Sequence, residues 1–309
     1  MKDGFKQPFG IILLGLFLPT LLLAGCARQD SAVNLEELAK RAKEGDRAAI
    51  TRLVELLAVP EGKVAEQAYP AVVAAGAGAV PALLTQVGSQ DPQQREYVIA
   101  ALGTIRAAEA VPAVGRVLAD RALQRRYVAA WALGEIGASE GVPFLLGALD
   151  DPNQEVRRYA TRALIKLNRS AVAPLIAHLQ KASGESAAGA IRALGDIADP
   201  TALDVLLAQA AGSQRAEAYL ALGKLRSPRA EAVLIKGLSD SDWQARMNAA
   251  MALGPLGGPP AAAALSKTLN DEVHVVREWS ARSLEMITGK PVLYRNAKNE
   301  MVRPYNVYH

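Results

Sequence analysis

The side chains that could carry out chemistry are few and scattered. The chain has one cysteine, Cys26, and three histidines, His178, His274 and His309, which fall on different predicted elements. No histidine is paired with a glutamate or another histidine at metal-ligand spacing, and the sequence contains neither a GxxxxGK[ST] loop nor a GxSxG elbow. We therefore predict no catalytic residue, no metal site and no cofactor, and we assign His178 a structural role.

Cys26 is the exception, because the segment before it indicates export. Lys2 and Lys6 precede an apolar run from Phe9 to Leu23, which ends in small residues. The run is interrupted by Pro19 and is shorter than the roughly 20 residues that span a bilayer. A removable secretory signal over residues 1–25 is therefore favoured over a retained transmembrane helix.

The residues Leu23, Ala24, Gly25 and Cys26 resemble the bacterial lipobox. In that family signal peptidase cleaves before the cysteine, whose thiol receives a diacylglycerol and whose amine is then usually acylated. The resemblance implies that acyl chains on Cys26 hold the protein on a membrane, with residues 26–33 as a tether. Ala27 replaces the aspartate of an inner-membrane retention signal, so we expect the outer membrane, on its periplasmic side, if the host has two membranes.

The composition favours helices. Half of the 309 residues are hydrophobic but only 5% are aromatic, so alanine and leucine supply the apolar content. The formal net charge is +4, and acidic and basic residues are interspersed. Together with the export signal, this balance argues against nucleic-acid binding.

The chain also repeats itself, which determines its fold class. The tripeptide Ala-Leu-Gly recurs at intervals of 28 to 31 residues or their multiples, with degenerate copies at Ala163 and Ser283; it begins at Ala101, Ala132, Ala193, Ala221 and Ala252. A fixed period of this length is typical of a solenoid. In the clearest unit, Asp151 to Leu167 shows one apolar stripe at helical spacing, and a second helix with an early proline follows. We predict an all-α solenoid of stacked helical hairpins.

The repeat resembles the HEAT family, more closely the short bacterial type also found in phycobilisome lyases, over residues 60–289. Residues 34–59 are expected to form an N-terminal helical cap. The tail, residues 290–309, is expected to form a small β-hairpin or an extended cap rather than a disordered segment. The His-Glu pairs of HEAT-type di-iron hydroxylases are absent.

In the family, an arginine six residues into each unit and an aspartate at the unit start form a ladder between neighbouring repeats. The matching positions here are Arg95, Arg126, Arg157, Arg215, Arg246 and Arg277, with Asp120, Asp151, Asp240 and Asp271. The unit that begins near Lys181 has lost both residues and carries Ala187 in place of the arginine. We expect looser stacking or a bend at that unit.

The repeat register indicates where a partner would bind. Residues seven and eleven positions into a unit point away from the buried stripe, and in HEAT proteins that face usually lines the concave surface. Tyrosine, tryptophan, arginine and methionine, which are enriched in protein interfaces, gather at or beside these positions. The predicted partner-binding residues are Tyr127, Trp131, Arg158, Arg162 and Arg192, with Tyr97, Tyr159, Met247, Met251 and Trp279. The competing interpretation is that these side chains only pack on one another.

The resulting hypothesis is a membrane-anchored scaffold or adaptor that binds a protein or peptide in the concave groove. Two alternatives stay open. Resemblance to phycobilisome lyases implies a lyase-type role acting on a tetrapyrrole or a protein, and a purely structural spacer would use no groove at all.

Overall fold

The computed structural model describes residues 34–59 and 63–304, so Cys26 and the predicted signal lie outside the described residues. The described residues form helices and one small hairpin. The helices are α1 (Leu35–Lys43), α2 (Arg47–Leu56), α3 (Val64–Ala74), α4 (Val80–Gln86), α5 (Pro92–Ile105), α6 (Val111–Ala119), α7 (Tyr127–Ile136), α8 (Val142–Ala148), α9 (Gln154–Leu167), α10 (Arg169–Leu179), α11 (Gly184–Ile197), α12 (Leu203–Gln209), α13 (Arg215–Leu225), α14 (Glu231–Gly237), α15 (Trp243–Leu253), α16 (Pro259–Thr268) and α17 (His274–Thr288). The strands are β1 (Tyr294–Arg295) and β2 (Met301–Val302). Among these helices, none combines the length and the hydrophobicity that a bilayer crossing requires.

Local sequence explains where the helices start. The side chain of Asn153 accepts a hydrogen bond from the N–H of Glu155 at the start of α9, and Asp242 does the same for Gln244 at α15. Pro112 and Pro143 lie in the first turns of α6 and α8. Pro174, the early proline expected in the clearest unit, falls further inside its helix, because α10 begins at Arg169.

The chain divides into two compact units, and the boundary falls inside α5, between Ala101 and Leu102. In the first unit, α1, α2 and α3 pack on one another, and α4 packs on α2. The core of this unit is aliphatic, with Leu53, Leu57 and Leu83 fully buried. The helices of residues 34–59 therefore bury apolar faces within this unit.

The second unit is a stack of helical hairpins in two layers. Each odd-numbered helix from α7 to α17 packs against the next odd-numbered helix, and each even-numbered helix from α6 to α16 packs against the odd-numbered helix that follows it. Leucines fill the space between the layers, with Leu133, Leu145, Leu164 and Leu194 fully buried. This arrangement confirms the predicted α-solenoid.

The Ala-Leu-Gly tripeptide marks the contact between neighbouring repeats. A Cβ atom added at Gly223 would lie 2.5 Å from the Cβ of Ala252, the alanine of the next tripeptide. The same relation holds for the pairs Gly103 and Ala132, Gly134 and Ala163, and Gly195 and Ala221. Only glycine allows the odd-numbered helices to approach this closely. Ile165 occupies the glycine position of α9, so the contact from α9 to α11 is built differently.

Within the second unit, the predicted ladder connects neighbouring repeats. Arg126 binds Asp151, Arg215 binds Asp240, and Arg246 binds Asp271, in each case 25 residues further along the chain. Four ladder arginines also donate from Nη1 to the carbonyl six residues earlier in their own unit. These pairs are Arg95 with Ser89, Arg157 with Asp151, Arg246 with Asp240, and Arg277 with Asp271. The ladder therefore stabilises both the inter-helix turn and the stacking.

At the last repeat, the ladder arginine binds the tail. Arg277 donates to the carbonyl of Arg295 at 2.7 Å and to that of Asn296 at 3.3 Å. Strands β1 and β2 pair antiparallel, with Tyr294 opposite Val302. The carboxylate of Glu285 accepts from the N–H of Val292 at 2.9 Å and from Arg303 at 3.2 Å. The expected hairpin is thus present and is bonded to α17 through both of its arms.

Candidate functional site

One row of side chains runs along the odd-numbered helices of the second unit, with one residue from each helix. This eleventh-position row consists of Trp131, Arg162, Arg192, Leu220, Met251 and Arg282, and every member is at least partly exposed. The residues next to it in sequence, such as Ala132 and Ala163, are buried. The row therefore faces away from the core, as helical periodicity predicts.

At one end of the row, α7 and α9 bring together five of the predicted residues. This aromatic–arginine cluster consists of Tyr127, Trp131, Arg158, Tyr159 and Arg162. The ring centroids of Tyr127 and Tyr159 lie 5.3 Å apart. The guanidinium carbons of Arg158 and Arg162 lie 5.4 Å and 5.8 Å from the centroid of Tyr159. Both arginines are exposed, and the ring beneath holds them by cation–π attraction. Arg158 also lies 4.0 Å from the carboxylate of Glu155.

Trp131 is half-buried, and its ring packs on the preceding repeat. A Cβ atom at Gly103 would lie 3.1 Å from Cζ3 of this ring, so the glycine leaves room for it. The indole Nε1 is buried and has no hydrogen-bond partner among residues 34–59 and 63–304. A buried donor without an acceptor costs about 1–3 kcal/mol. An acceptor that reaches this N–H would remove that cost.

The prediction that Tyr97 and Tyr159 present their rings to a partner does not match their burial, since they are 9% and 8% exposed. Tyr97 packs on Tyr69 in the first unit, with ring centroids 5.8 Å apart. The reason is the register, because the eighth position is turned by about 100° from the seventh, toward the buried stripe. Of the remaining predicted residues, Arg192 is exposed on α11 and Met247 is half-buried on α15.

Toward the C-terminus, the odd-numbered helices and the tail enclose a cavity of about 820 Å³, called here the C-terminal pocket. Met251 and Trp279 line it, so the structure places these two predicted residues together but apart from the cluster on α7 and α9. The rest of the lining was not predicted from the sequence; it includes Lys224, Arg226, Glu285, Met286, Lys290 and Arg303. No local motif marks these residues, because the stacking of α13, α15 and α17 and the docking of the tail bring them together.

Arg282 is fixed in the wall of the C-terminal pocket. Its guanidinium carbon lies 4.7 Å from the ring centroid of Trp279, and Nη2 lies 2.6 Å from Glu278. Its Nε is buried without a hydrogen-bond partner in the described part of the chain. Burial raises the pKa of Tyr294 in the hairpin, as does the nearby charge of Glu278. Glu278 therefore acts on both Arg282 and the hairpin tyrosine.

Neither the aromatic–arginine cluster nor the C-terminal pocket contains a histidine or a cysteine. Within the described ranges, no group of three or more histidine, cysteine or acidic side chains is placed to hold a metal ion. Nε2 of His178 lies 2.9 Å from Oγ of Ser186, which links α10 to α11. Burial lowers the pKa of His178, so the neutral ring is favoured.

Comparison with solved structures agrees with the solenoid. The karyopherin Kap121p, solved bound to the SUMO protease Ulp1p and to Nup53p, aligns with TM-scores of 0.56 and 0.55 at 15% identity. In both alignments 83% of this chain and 34% of the karyopherin are covered, so the chain spans about a third of that protein. At this identity the likeness shows the fold alone.

Two smaller proteins align over most of their length. Human deoxyhypusine hydroxylase in complex with glycerol aligns at 23% identity and a TM-score of 0.35, covering 82% of this chain and all of that one. The CpcE–CpcF complex of phycocyanin lyase from Nostoc sp. PCC7120 aligns at 26% identity and a TM-score of 0.36, covering 66% of this chain and 86% of that one. Such low TM-scores carry no functional argument.

The sequence itself matches a family model. None of the curated proteins matches the chain significantly. The model described as HEAT repeats, however, matches residues 80–165, 142–214 and 212–285. These matches overlap and together span more than half of the sequence, over the same helices whose stacking is described above. The chain therefore belongs to the HEAT-repeat family.

Proposed function

We propose that the protein is a lipid-anchored scaffold of the cell envelope, which binds another protein on the face formed by the odd-numbered helices of its second unit. The aromatic–arginine cluster is the observation that carries this proposal. Tryptophan, tyrosine and arginine are the residue types that dominate binding energy at protein interfaces. Trp131 and Tyr127 are half-exposed on one surface with Arg158 and Arg162.

The cluster supplies two kinds of contact. A partner's apolar side chain gains by covering the exposed edges of Trp131 and Tyr127, and a partner's carboxylate gains by pairing with Arg158 or Arg162. The two arginines are held over Tyr159, so little side-chain entropy is lost when they bind. A partner that draws the Trp131 indole outward and accepts its N–H also removes the cost of the buried donor.

The anchor is the second part of the proposal and rests on the sequence alone. Lipid attached to Cys26 would hold the solenoid at the membrane, with the short segment 26–33 between them. A Cys26→Ser variant is expected to move from the membrane fraction to the soluble fraction and to lose the mass of the acyl chains. Cell fractionation with intact-mass measurement checks this. A mass that differs from wild type only by the exchange of sulfur for oxygen, with an unchanged distribution, would exclude lipidation.

The binding proposal is tested by cross-linking in intact cells of the native host, followed by affinity isolation and mass spectrometry. The variant Trp131→Ala with Arg162→Glu is compared with the wild type. The matched control is Trp243→Ala with Arg229→Glu, which makes the same two exchanges at exposed residues outside the eleventh-position row. We expect the first variant to lose a partner that the wild type and the control both retain.

The other outcomes decide between the alternatives. If both variants keep every partner while remaining folded and lipidated, the cluster is not the binding site, and the spacer interpretation is supported. A lyase-type role predicts instead that a tetrapyrrole-bearing or covalently altered protein is isolated with the wild type.

A further inference from the structure

We infer that the C-terminal pocket binds an extended peptide segment in which an apolar side chain is flanked by carboxylates. This inference rests on the proposed role in protein binding and adds a second contact point with a defined ligand chemistry. The pocket lies on the same layer of helices as the aromatic–arginine cluster, but it has its own walls, formed by the ends of α11, α13, α15 and α17 and by the tail.

The interior of the pocket is apolar. Leu220 and Met251, two members of the eleventh-position row, line it together with Trp279, and all three are half-buried. Met286 at the end of α17 is 61% exposed and lines the same space. A cavity of about 820 Å³ falls in the range of sites that enclose small ligands. It can take one large apolar side chain and the backbone on either side of it.

The rim of the pocket is positively charged. Five basic and two acidic residues line it, and both acidic residues are already paired, Asp196 with Lys224 and Glu285 with Arg303. Arg226 and Lys290 are exposed and form no ion pair with any residue of the described ranges. The pocket therefore has uncompensated positive charge, and carboxylates are its complement.

The helix ends determine where those carboxylates lie. The C-terminal cap residues of α11, α13 and α17, which are Ala198, Arg226 and Gly289, all line the pocket. The carbonyl groups at a helix C-terminus carry partial negative charge and disfavour an anion close to them. An anionic group is therefore excluded from the interior and is favoured at the exposed ends of Arg226 and Lys290. This arrangement selects a peptide segment that has an apolar side chain at its centre and acidic residues on either side.

The tail is part of the site. Pro291, Arg303 and Pro304 form one wall, and Glu285 holds this wall by bonding the N–H of Val292 and the guanidinium of Arg303. Arg282, stacked on Trp279 and paired with Glu278, keeps the opposite side rigid. Because both sides are held before a ligand arrives, binding requires little ordering of the protein.

The test measures fluorescence anisotropy of labelled peptides with the full chain in detergent. The probe is a short peptide with Leu-Phe at its centre and two acidic residues on each side. One comparison peptide carries lysines in place of the acidic residues, and another carries Ser-Ser in place of Leu-Phe. We expect the first peptide to bind and both comparison peptides to bind roughly tenfold more weakly or not at all.

Two pairs of variants locate the binding. The double variant Arg226→Glu, Lys290→Glu should bind the acidic peptide roughly tenfold more weakly than wild type. The control variant Lys236→Glu, Lys267→Glu makes the same change in net charge at exposed positions on α14 and α16 and should bind it like wild type. Met286→Ser should also weaken binding of the acidic peptide. Met301→Ser should not, because Met301 is 55% exposed and lies outside the pocket. Retained circular dichroism shows that each variant is folded.

Three results would overturn the inference. The acidic peptide could bind no better than the lysine peptide, or the pocket variants could bind as well as their controls. Alternatively, the protein could bind none of the peptides and instead bind vesicles of phosphatidylglycerol through Arg226 and Lys290. That result would make the pocket a lipid-headgroup site. The Trp131→Ala, Arg162→Glu variant should bind the peptide like wild type, so failure here leaves the cross-linking test of the scaffold proposal unaffected.

Discussion

Arg126 and Asp151 form a buried ion pair that joins two repeats. Nη2 of Arg126 donates to Oδ1 of Asp151 at 3.0 Å, Nη1 donates to the other carboxylate oxygen, and each side chain is 5% exposed. Nε and Nη1 of the same guanidinium donate to the carbonyls of Leu123 and Leu118, and Asp151 accepts from the N–H of Asn153. The two side chains therefore join neighbouring repeats and also hold the backbone of the turns beside them.

Removing one member of this pair should be strongly destabilising. Asp151→Ala leaves the Arg126 charge buried without its partner, which costs about 3–5 kcal/mol in comparable cases. The measurement is the midpoint of urea denaturation followed by circular dichroism. Arg229→Ala is the matched control, because Arg229 and Asp204 are also 25 residues apart but are 65% and 80% exposed. Its effect should stay below about 1 kcal/mol. Similar effects at both pairs would show that burial is not the cause.

The ladder should also make the folded state lose stability as the pH falls into the acid range. The hydrogen bond from Arg215 holds the pKa of Asp240 below its ordinary value of 3.8. At Asp151, burial works in the opposite direction, but the hydrogen bonds from Arg126 and from the N–H of Asn153 outweigh it and the pKa is again lowered. In acid the unfolded carboxyls therefore bind protons before the folded ones do. This contribution to stability is complete above the ordinary carboxyl pKa and is lost as pH falls through the lowered folded values.

Urea midpoints measured from neutral pH down to strong acid check this expectation. Asp240→Asn should be less stable than wild type at neutral pH, and the difference should shrink below the ordinary carboxyl pKa of 3.8, where wild type loses the same charge. A difference that stays constant across the acid range would contradict the assignment.

The close approach at the Ala-Leu-Gly tripeptides predicts opposite effects for two glycine-to-alanine exchanges. Gly223→Ala should destabilise by about 1–3 kcal/mol, because the new methyl meets the Cα and Cβ of Ala252 at 2.6 Å and 2.5 Å. Gly147 in α8 has nothing within 4 Å of an added Cβ. Gly147→Ala should stabilise by about 0.5–1 kcal/mol through helix propensity. Thermal denaturation of the two variants gives the sign of each effect, and equal signs would contradict the packing argument.

The gap in the ladder can be filled. Ala182 lies where the spacing of 25 residues seen for Arg246 and Asp271 would place a partner for Arg157. Arg157 already donates from Nη1 to the carbonyls of Asp151 and Pro152, as Arg246 does to those of Asp240 and Ser241. Ala182→Asp should therefore stabilise by about 1 kcal/mol.

A double-mutant cycle with Arg157→Ala isolates the new pair, and the gain should vanish in that background. If the gain persists without Arg157, the new aspartate acts only on its own turn. If no gain appears, α9 and α11 are further apart than the other odd-numbered neighbours, as the sequence-based expectation of looser stacking implies.

Much of the fold was determined by the sequence alone. The period of the Ala-Leu-Gly tripeptide, the helix stripe from Asp151 to Leu167 and the ladder residues follow from helical geometry, since residues on one face recur at fixed spacing whatever the neighbouring chain does. For the same reason the outward direction of Trp131, Arg162 and Met251 could be predicted. The proposed lipid attachment at Cys26 rests on the sequence alone, through the resemblance of residues Leu23 to Cys26 to the lipobox.

Tertiary structure decided the rest, because it depends on distances between residues far apart in the chain. Burial of Tyr159 under two arginines depends on how closely α7 and α9 approach, which Gly134 allows. One wall of the C-terminal pocket is present because Glu285 and Arg277 bind a hairpin that follows the last repeat. Repeat periodicity ends before that hairpin, so no pattern in the sequence could place Lys290 or Arg303 in one pocket with Arg226.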